Sequence, residues 1–264
     1  MTNSIEVKNL IKKFGQFTAV NDITFSVKAG SVFAFLGPNG AGKTTTIKML
    51  TTLLAPTDGT VSLNGFTLPD GQDEVRKSFG IVFQDPSLDD ELTAYENMEF
   101  HGILYGVPTE IRKNRIKEMM EFVELWDRKD SLVREFSGGM KRRLEIARAL
   151  LHHPKILFLD EPTIGLDPQT RNHLYGYIQK LNKEEGITVF LTTHYMEEAE
   201  KMAEQIAIID NGKIVTTGTS AELKTQTNTN TLEDAFIKLT GHAIREESNT
   251  AVANMRMARK MWGR

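Results

Sequence analysis

Gly37, Gly42, Lys43 and Thr44 stand at the spacing G-x-x-x-x-G-K-[ST] within GPNGAGKTTT, between a short apolar run and a helical pattern. That spacing suits phosphate binding. Glycines let backbone N–H groups converge on phosphate oxygens, a helix N-terminus adds positive potential, the Lys43 ammonium reaches β and γ phosphates, and the Thr44 hydroxyl can ligate Mg²⁺. The candidate nucleotide-contacting set is Gly37, Pro38, Asn39, Gly40, Ala41, Gly42, Lys43, Thr44 and Thr45. The competing reading is a Gly-rich turn that only starts a helix.

The segment ILFLDEPTIGLDP, residues 156–168, supplies carboxylates. An apolar run ending in two acids delivers them to the carboxyl edge of a parallel sheet, where ligands bind in open α/β folds. Asp160 there would hold Mg²⁺, mostly through water, and Glu161 would polarise an attacking water as general base. Alone, Glu161 could equally cap a helix near Pro162. In FSGGMKRRLEIARAL, residues 136–150, Ser137 is a good N-cap, and Gly138 and Gly139 permit close approach of an anion to the helix start. A capped surface helix is the plainer reading of that stretch.

The elements that must carry these groups follow from hydrophobic patterning. Residues 31–36, 155–159 and 188–193 are short apolar-rich runs, as expected of strands buried on both faces of a parallel sheet. Residues 5–10 and 23–27 alternate apolar and polar, which predicts an antiparallel layer at the amino end. Asn64-Gly65 and Asn211-Gly212 each predict a two-residue hairpin. Behind Pro108, Ile111, Ile116, Met119, Met120, Val123 and Trp126 recur at helical spacing, placing a mostly helical insert at about residues 85–135.

Composition bounds the rest. The 264 residues carry 32 Lys plus Arg against 35 Asp plus Glu, so no global basic field favours a nucleic-acid partner, and none is expected. There is no cysteine, which removes disulfides, thiolate zinc sites and cysteine nucleophiles. No apolar run approaches the roughly 20 residues of a membrane helix. The expectation is a cytoplasmic chain with at most peripheral membrane association. His101, His152, His153, His173 and His242 show no metal spacing.

Taken in order, these motifs resemble the ATP-binding cassette (ABC) ATPases over residues 5–222: Phe14-Gly15, the phosphate loop, Gln84, Ser-Gly-Gly, the strand ending in Asp160 and Glu161, Gly165-Leu166-Asp167, and His194. The resemblance implies an α/β P-loop NTPase with a central, mostly parallel sheet, an N-terminal antiparallel β layer and the inserted helical subdomain. It implies that Phe14 stacks on adenine, Gln84 contacts Mg²⁺ and the water, and His194 senses the γ-phosphate. Read singly, Phe14 is a core or surface aromatic, Gln84 a turn residue and His194 a cap.

The family further implies a head-to-tail dimer, in which Ser137, Gly138 and Gly139 of one subunit close over ATP held by Lys43 of the other. The second subunit is either the same chain or a different cassette. One departure is Met140, where the family usually has glutamine, followed by Lys141, Arg142 and Arg143. This variant is similar to drug and antibiotic exporter ATPases, whose partners are separate permeases of the ABC-2 type. The basic run itself reads as a solvated helix face. In the family, the cleft between the Gln84 loop and the helical insert receives a cytoplasmic helix of the permease.

The expected organisation is a nucleotide-binding domain over 1–224, a polar linker over 225–231 and a tail over 232–264. In the tail, Thr231 caps a helix that closes at Gly241. Beyond it, Met255, Ala258, Met261 and Trp262 form an apolar stripe among basic residues. Cargo contacts would lie in the permease. The alternative to an exporter subunit is a soluble ABC ATPase of assembly, repair or translation.

Overall fold

The computed structural model describes residues 2–241. In chain order the strands are β1 (Asn3–Phe14), β2 (Phe17–Lys28), β3 (Val32–Leu36), β4 (Asp58–Leu63), β5 (Phe66–Thr67), β6 (Phe79–Val82), β7 (Ile156–Asp160), β8 (Thr188–Thr193), β9 (Gln205–Asp210) and β10 (Lys213–Gly218). The helices are α1 (Lys43–Leu50), α2 (Gln72–Ser78), α3 (Ala94–Leu104), α4 (Thr109–Phe122), α5 (Gly138–Ala149), α6 (Pro168–Glu185), α7 (Met196–Met202), α8 (Ser220–Thr227) and α9 (Leu232–Thr240).

Every residue of β3, β7 and β8 is buried, because these strands occupy the interior of a six-stranded sheet ordered β10-β9-β3-β8-β7-β6. All of its pairings are parallel except β9 with β10. Side chains alternate across it. Val32, Ala34, Leu36, Leu157, Leu159, Val189 and Leu191 face one core with the helices, whereas Phe33, Phe35, Phe158 and Phe190 face a second core. The second core is closed by the antiparallel sheet β2-β1-β4-β5.

Phe190 lies 5.5 to 6.0 Å, centroid to centroid, from the rings of Phe25, Phe33, Phe35 and Phe158. Such packing leaves little room to collapse around a deletion. Phe190→Ala is therefore expected to lower stability by about 3–5 kcal/mol, read as a fall in the urea midpoint with an unchanged slope. A loss below about 1 kcal/mol would mean this cluster does not hold the two sheets together.

Both predicted hairpins are present. Asn64 and Gly65 join β4 to β5, and Asn211 and Gly212 join β9 to β10, all four at positive φ. The insert holds α3 and α4. Thr93 caps α3 in a reciprocal box with Glu96, and Ile116, Met119, Met120 and Val123 are buried. Ile111 departs from the expectation and is 53% exposed. It falls outside the i, i+3, i+4 relation to Ile116 that defines the inward face.

The polar segment from Thr225 is not wholly a linker. Thr219 and Glu222 form a capping box that starts α8, Leu223 and Thr227 are buried, and the helix continues through Thr227. The connection to α9 is thus residues 228–231. Thr231 caps α9 through the Asp234 N–H at 3.0 Å, and Gly241 ends it at φ 79°. The apolar stripe from Met255 to Trp262, and His242, lie outside the described residues. Among the described residues, no helix is long and apolar enough to cross a membrane.

Candidate functional site

The site gathers at the carboxyl ends of β3, β7 and β8. From Leu36 the chain turns through residues 37–42 into α1, whose start has neither a side-chain cap nor an acidic residue in its first turn. Its first N–H groups are therefore free to receive an anion. The loop lies hard against its neighbours. A Cβ on Gly37 would meet the Ile209 carbonyl oxygen at 2.3 Å, and Gly42, at φ 105°, would meet that of Ala19 at 2.7 Å. Gly37, Pro38 and Ala41 are buried, Asn39 and Gly40 exposed, and Thr44 and Thr45 half-buried.

Lys43 is 4% exposed. Its ammonium donates to the carbonyls of Gly37 at 2.8 Å and Pro38 at 3.1 Å, and pairs with Glu161 Oε1 at 3.0 Å. The other oxygen of Glu161 accepts from His194 Nδ1 at 2.8 Å. Glu161 takes a left-handed backbone, φ 49°, just beyond β7, a conformation costing a residue with a side chain about 1–3 kcal/mol. Its N–H is held by the Thr192 carbonyl and hydroxyl, each at 3.1 Å. Burial alone would raise the Glu161 carboxyl, but the His194 hydrogen bond and the Lys43 charge outweigh it and hold the pKa below the ordinary value.

Asp160 behaves oppositely: burial raises its pKa against the opposing hydrogen bonds of Thr192 and Thr44. Both hydroxyls reach Oδ1, Thr192 at 2.6 Å and Thr44 at 3.2 Å, while buried Oδ2 has no partner. An orphaned carboxylate oxygen beside a hydroxyl fits a hard divalent cation. Asp160, Glu161, Lys43, Thr44 and His194 are thus brought together.

Three expected members stand apart. Gln84, exposed beyond β6, makes no side-chain hydrogen bond among the described residues. Phe14 ends β1, 49% exposed, with the Lys12 ammonium 5.2 Å from its ring centre. Ser137, Gly138 and Gly139 start α5. The Ser137 hydroxyl accepts from the Met140 N–H at 3.3 Å, Gly139 packs on Thr170, and Gly138 faces open space. Ser137 and Gly139 border a cavity of about 210 Å³ with Thr170 and His173, and no hydrogen bond joins the three residues to the 37–45 loop.

Sequence reasoning missed Thr192, which holds both Asp160 and the Glu161 backbone, and Glu198, wholly buried on α7 with the hydroxyls of Thr163 and Thr193 beside its carboxyl. Glu198 follows His194 by one helical turn, a faint signal at best. Burial pushes its pKa up to about 7. Its protonated form is favoured in the folded chain, so between the ordinary glutamate pKa and about 7 the unfolded chain loses this proton first and stability falls as pH rises. Glu198→Gln should accordingly raise the thermal midpoint at pH 8 and leave it nearly unchanged at pH 4.5. Equal shifts at both pH values would contradict the assignment.

A third omission is Arg142. The Lys141-Arg142-Arg143 run is not a solvated face: Arg142 is 6% exposed and points inward from α5. Between the insert and the sheet lies a further cleft of about 550 Å³, lined by Leu53, Arg76, Lys77, Phe83, Leu104 and Tyr105, with Phe100 and Ile103 exposed nearby on α3.

A glycine-rich loop between a parallel strand and a helix, with the strand two places along the same sheet leading into two acids, defines a P-loop nucleotide hydrolase. The family pattern described as ABC transporter matches residues 20–164. The linearmycin resistance ATP-binding protein LnrL of Bacillus subtilis (strain 168) is 40% identical over 251 residues, 95% of this chain and 79% of that protein. The daunorubicin/doxorubicin resistance ATP-binding protein DrrA of Streptomyces peucetius is 42% identical over 231 residues, 88% of this chain and 70% of that protein. Among solved structures, a dimeric ATP-binding cassette in a post-hydrolysis state with ADP and Pi superimposes with a TM-score of 0.73 at 30% identity, covering 81% of this chain and 98% of that one. The chain belongs to the ABC transporter family, as one of its ATP-hydrolysing cassettes.

Proposed function

We propose that the chain is the Mg²⁺-dependent ATPase subunit that energises an exporter of drug-like, antibiotic or lipid-like cargo, working from the cytoplasmic face of the membrane on a separate permease of the ABC-2 type. The observation that carries the chemistry is Glu161, fixed between Lys43 and His194 beside the orphaned oxygen of Asp160. The export reading is supported by the resistance proteins whose sequences this chain shares over most of its length.

In this reading residues 37–45 cradle the phosphates of ATP and Phe14 stacks on adenine. Lys43 exchanges its carbonyl partners for β and γ phosphate oxygens, and releases Glu161 Oε1 to accept a proton from water. Thr44 and Asp160 would hold Mg²⁺, with Gln84 as a further contact, and the ion would supply charge neutralisation to the phosphates. His194 keeps Glu161 oriented and contacts the γ-phosphate. Glu161, held ionised by its neighbours, is suited to polarise water at neutral pH.

Ser137, Gly138 and Gly139 serve the second subunit of a head-to-tail dimer. Their exposed N–H groups at the start of α5 close over the ATP of that subunit, a second copy or another cassette. The 550 Å³ cleft, with the exposed apolar side chains of α3 beside it, receives a permease helix. Sedimentation of Glu161→Gln tests the closure. Mg-ATP should produce a dimer and ADP should not, and a monomer at saturating Mg-ATP would contradict a self-dimer.

A further inference from the structure

The parallel pairing of β6 with β7 ends at Val82 opposite Leu159. The next residues, Phe83 and Asp160, lead directly into the candidate groups Gln84 and Glu161. Where the ladder stops, the guanidinium of Arg142 enters between the two strand ends. Nε donates to the Pro162 carbonyl at 2.8 Å, Nη2 to those of Asp160 and Glu161 at 3.2 Å each, and Nη1 to that of Phe83 and to Glu145 Oε2 at 3.1 Å. Each of its five N–H donors thus has an acceptor. Four of these acceptors are backbone carbonyls, so the group fixes where the chain runs.

The other end of the Gln84 segment is held by the same helix. Glu145 Oε1 accepts from the Ser87 N–H at 2.7 Å and its hydroxyl at 3.2 Å, and Arg148 donates to the Ser87 carbonyl at 2.9 Å and to its hydroxyl. Arg142, Glu145 and Arg148 stand at i, i+3 and i+6, one stripe of α5. Gln84, whose own side chain has no partner, sits between the two attachment points. The helix that grips this segment is the one that begins at Ser137, Gly138 and Gly139.

We propose that Arg142, with Glu145 and Arg148, is a positioning device for hydrolysis: it sets the Gln84 segment against the strand end bearing Asp160 and Glu161. The proposal rests on the roles given above to those three residues. The guanidinium of Arg142 is spent on protein acceptors. Its effect reaches the reaction through the placement of Gln84 and Glu161, where errors of about 1 Å cost up to about 10²-fold in rate.

Arg142→Lys keeps the charge and the stem, but its three donors radiate from one atom and cannot bridge two strand ends. In the full chain, kcat for Mg-ATP hydrolysis should fall about 10-fold or more while ATP binds within about 2-fold of the parent, since residues 37–45 are untouched. A kcat within about 2-fold of the parent overturns the proposal. So does a loss of ATP affinity and thermal midpoint in step with rate, which marks a role in folding alone. Should Arg142→Lys not fold, Ser87→Ala combined with Arg148→Lys, at less buried sites, loosens the far attachment. There kcat should fall about 3-fold or more with ATP affinity kept, and an unchanged kcat overturns the proposal. Glu161→Gln assayed alongside separates the failures. Full turnover in that variant refutes the site and the clamp together, whereas loss there with parental turnover in Arg142→Lys refutes the clamp alone.

Discussion

Glu161→Gln is expected to reduce ATP turnover by about 10²-fold or more, the usual contribution of a general base, while ATP affinity stays near that of the parent. The amide keeps the shape of the carboxylate between Lys43 and His194, so the phosphate loop is undisturbed. What it loses is the lone-pair basicity that takes a proton from water. Equilibrium binding of ATP and single-turnover phosphate release, measured on the same preparation, check both halves. Only a rate loss without a binding loss identifies a group that acts in the transition state. Undiminished turnover would remove Glu161 from the chemistry.

Lys43→Ala should produce the complementary result, with ATP binding weakened about 10- to 10²-fold, as expected when one or two charge-assisted hydrogen bonds to phosphate are removed. The ammonium is buried and already committed to two carbonyls and a carboxylate, so its loss also leaves the Glu161 carboxylate with the His194 hydrogen bond alone. Titration calorimetry with ATP and with ADP reports the effect. The loss should be larger for ATP, because the proposed role of Lys43 includes the γ-phosphate. Equal affinity in the variant and the parent would contradict the cradle.

The proposed phosphate loop was legible because that chemistry restricts residue type at fixed spacing. Gly37 and Gly42 are glycines where any Cβ would strike a carbonyl oxygen, and Lys43 folds its side chain back onto the loop carbonyls of Gly37 and Pro38. The buried strands were legible because β3, β7 and β8 must be apolar on both faces. Alternation within them also separates the phenylalanine core from the aliphatic one.

Arg142 was not legible. A basic run after Ser-Gly-Gly looks like any solvated helix face, and the acceptors that draw Arg142 inward are carbonyls of residues 83 and 160–162, remote in sequence and without side-chain identity. Its spacing to Glu145 and Arg148 was the available signal, and that pattern is common on exposed helices. Thr192 was hidden likewise, as one of three threonines in a buried strand, whose hydroxyl meets Asp160 only once β7 and β8 pair. Ile111 and Thr225 show the limits of periodicity: a single residue off phase faces solvent, and a polar stretch extends a helix when a capping box starts it.

The most direct test of the account is an affinity capture of Glu161→Gln, held with Mg-ATP, from detergent-solubilised membranes of the native cell. The account predicts a polytopic membrane protein in stoichiometric amount, lost when Phe100 and Leu104 at the cleft are changed to Asp. Capture of only self-dimers, nucleic acid or soluble proteins, under conditions that keep a control transporter intact, would contradict it and favour a soluble ABC ATPase.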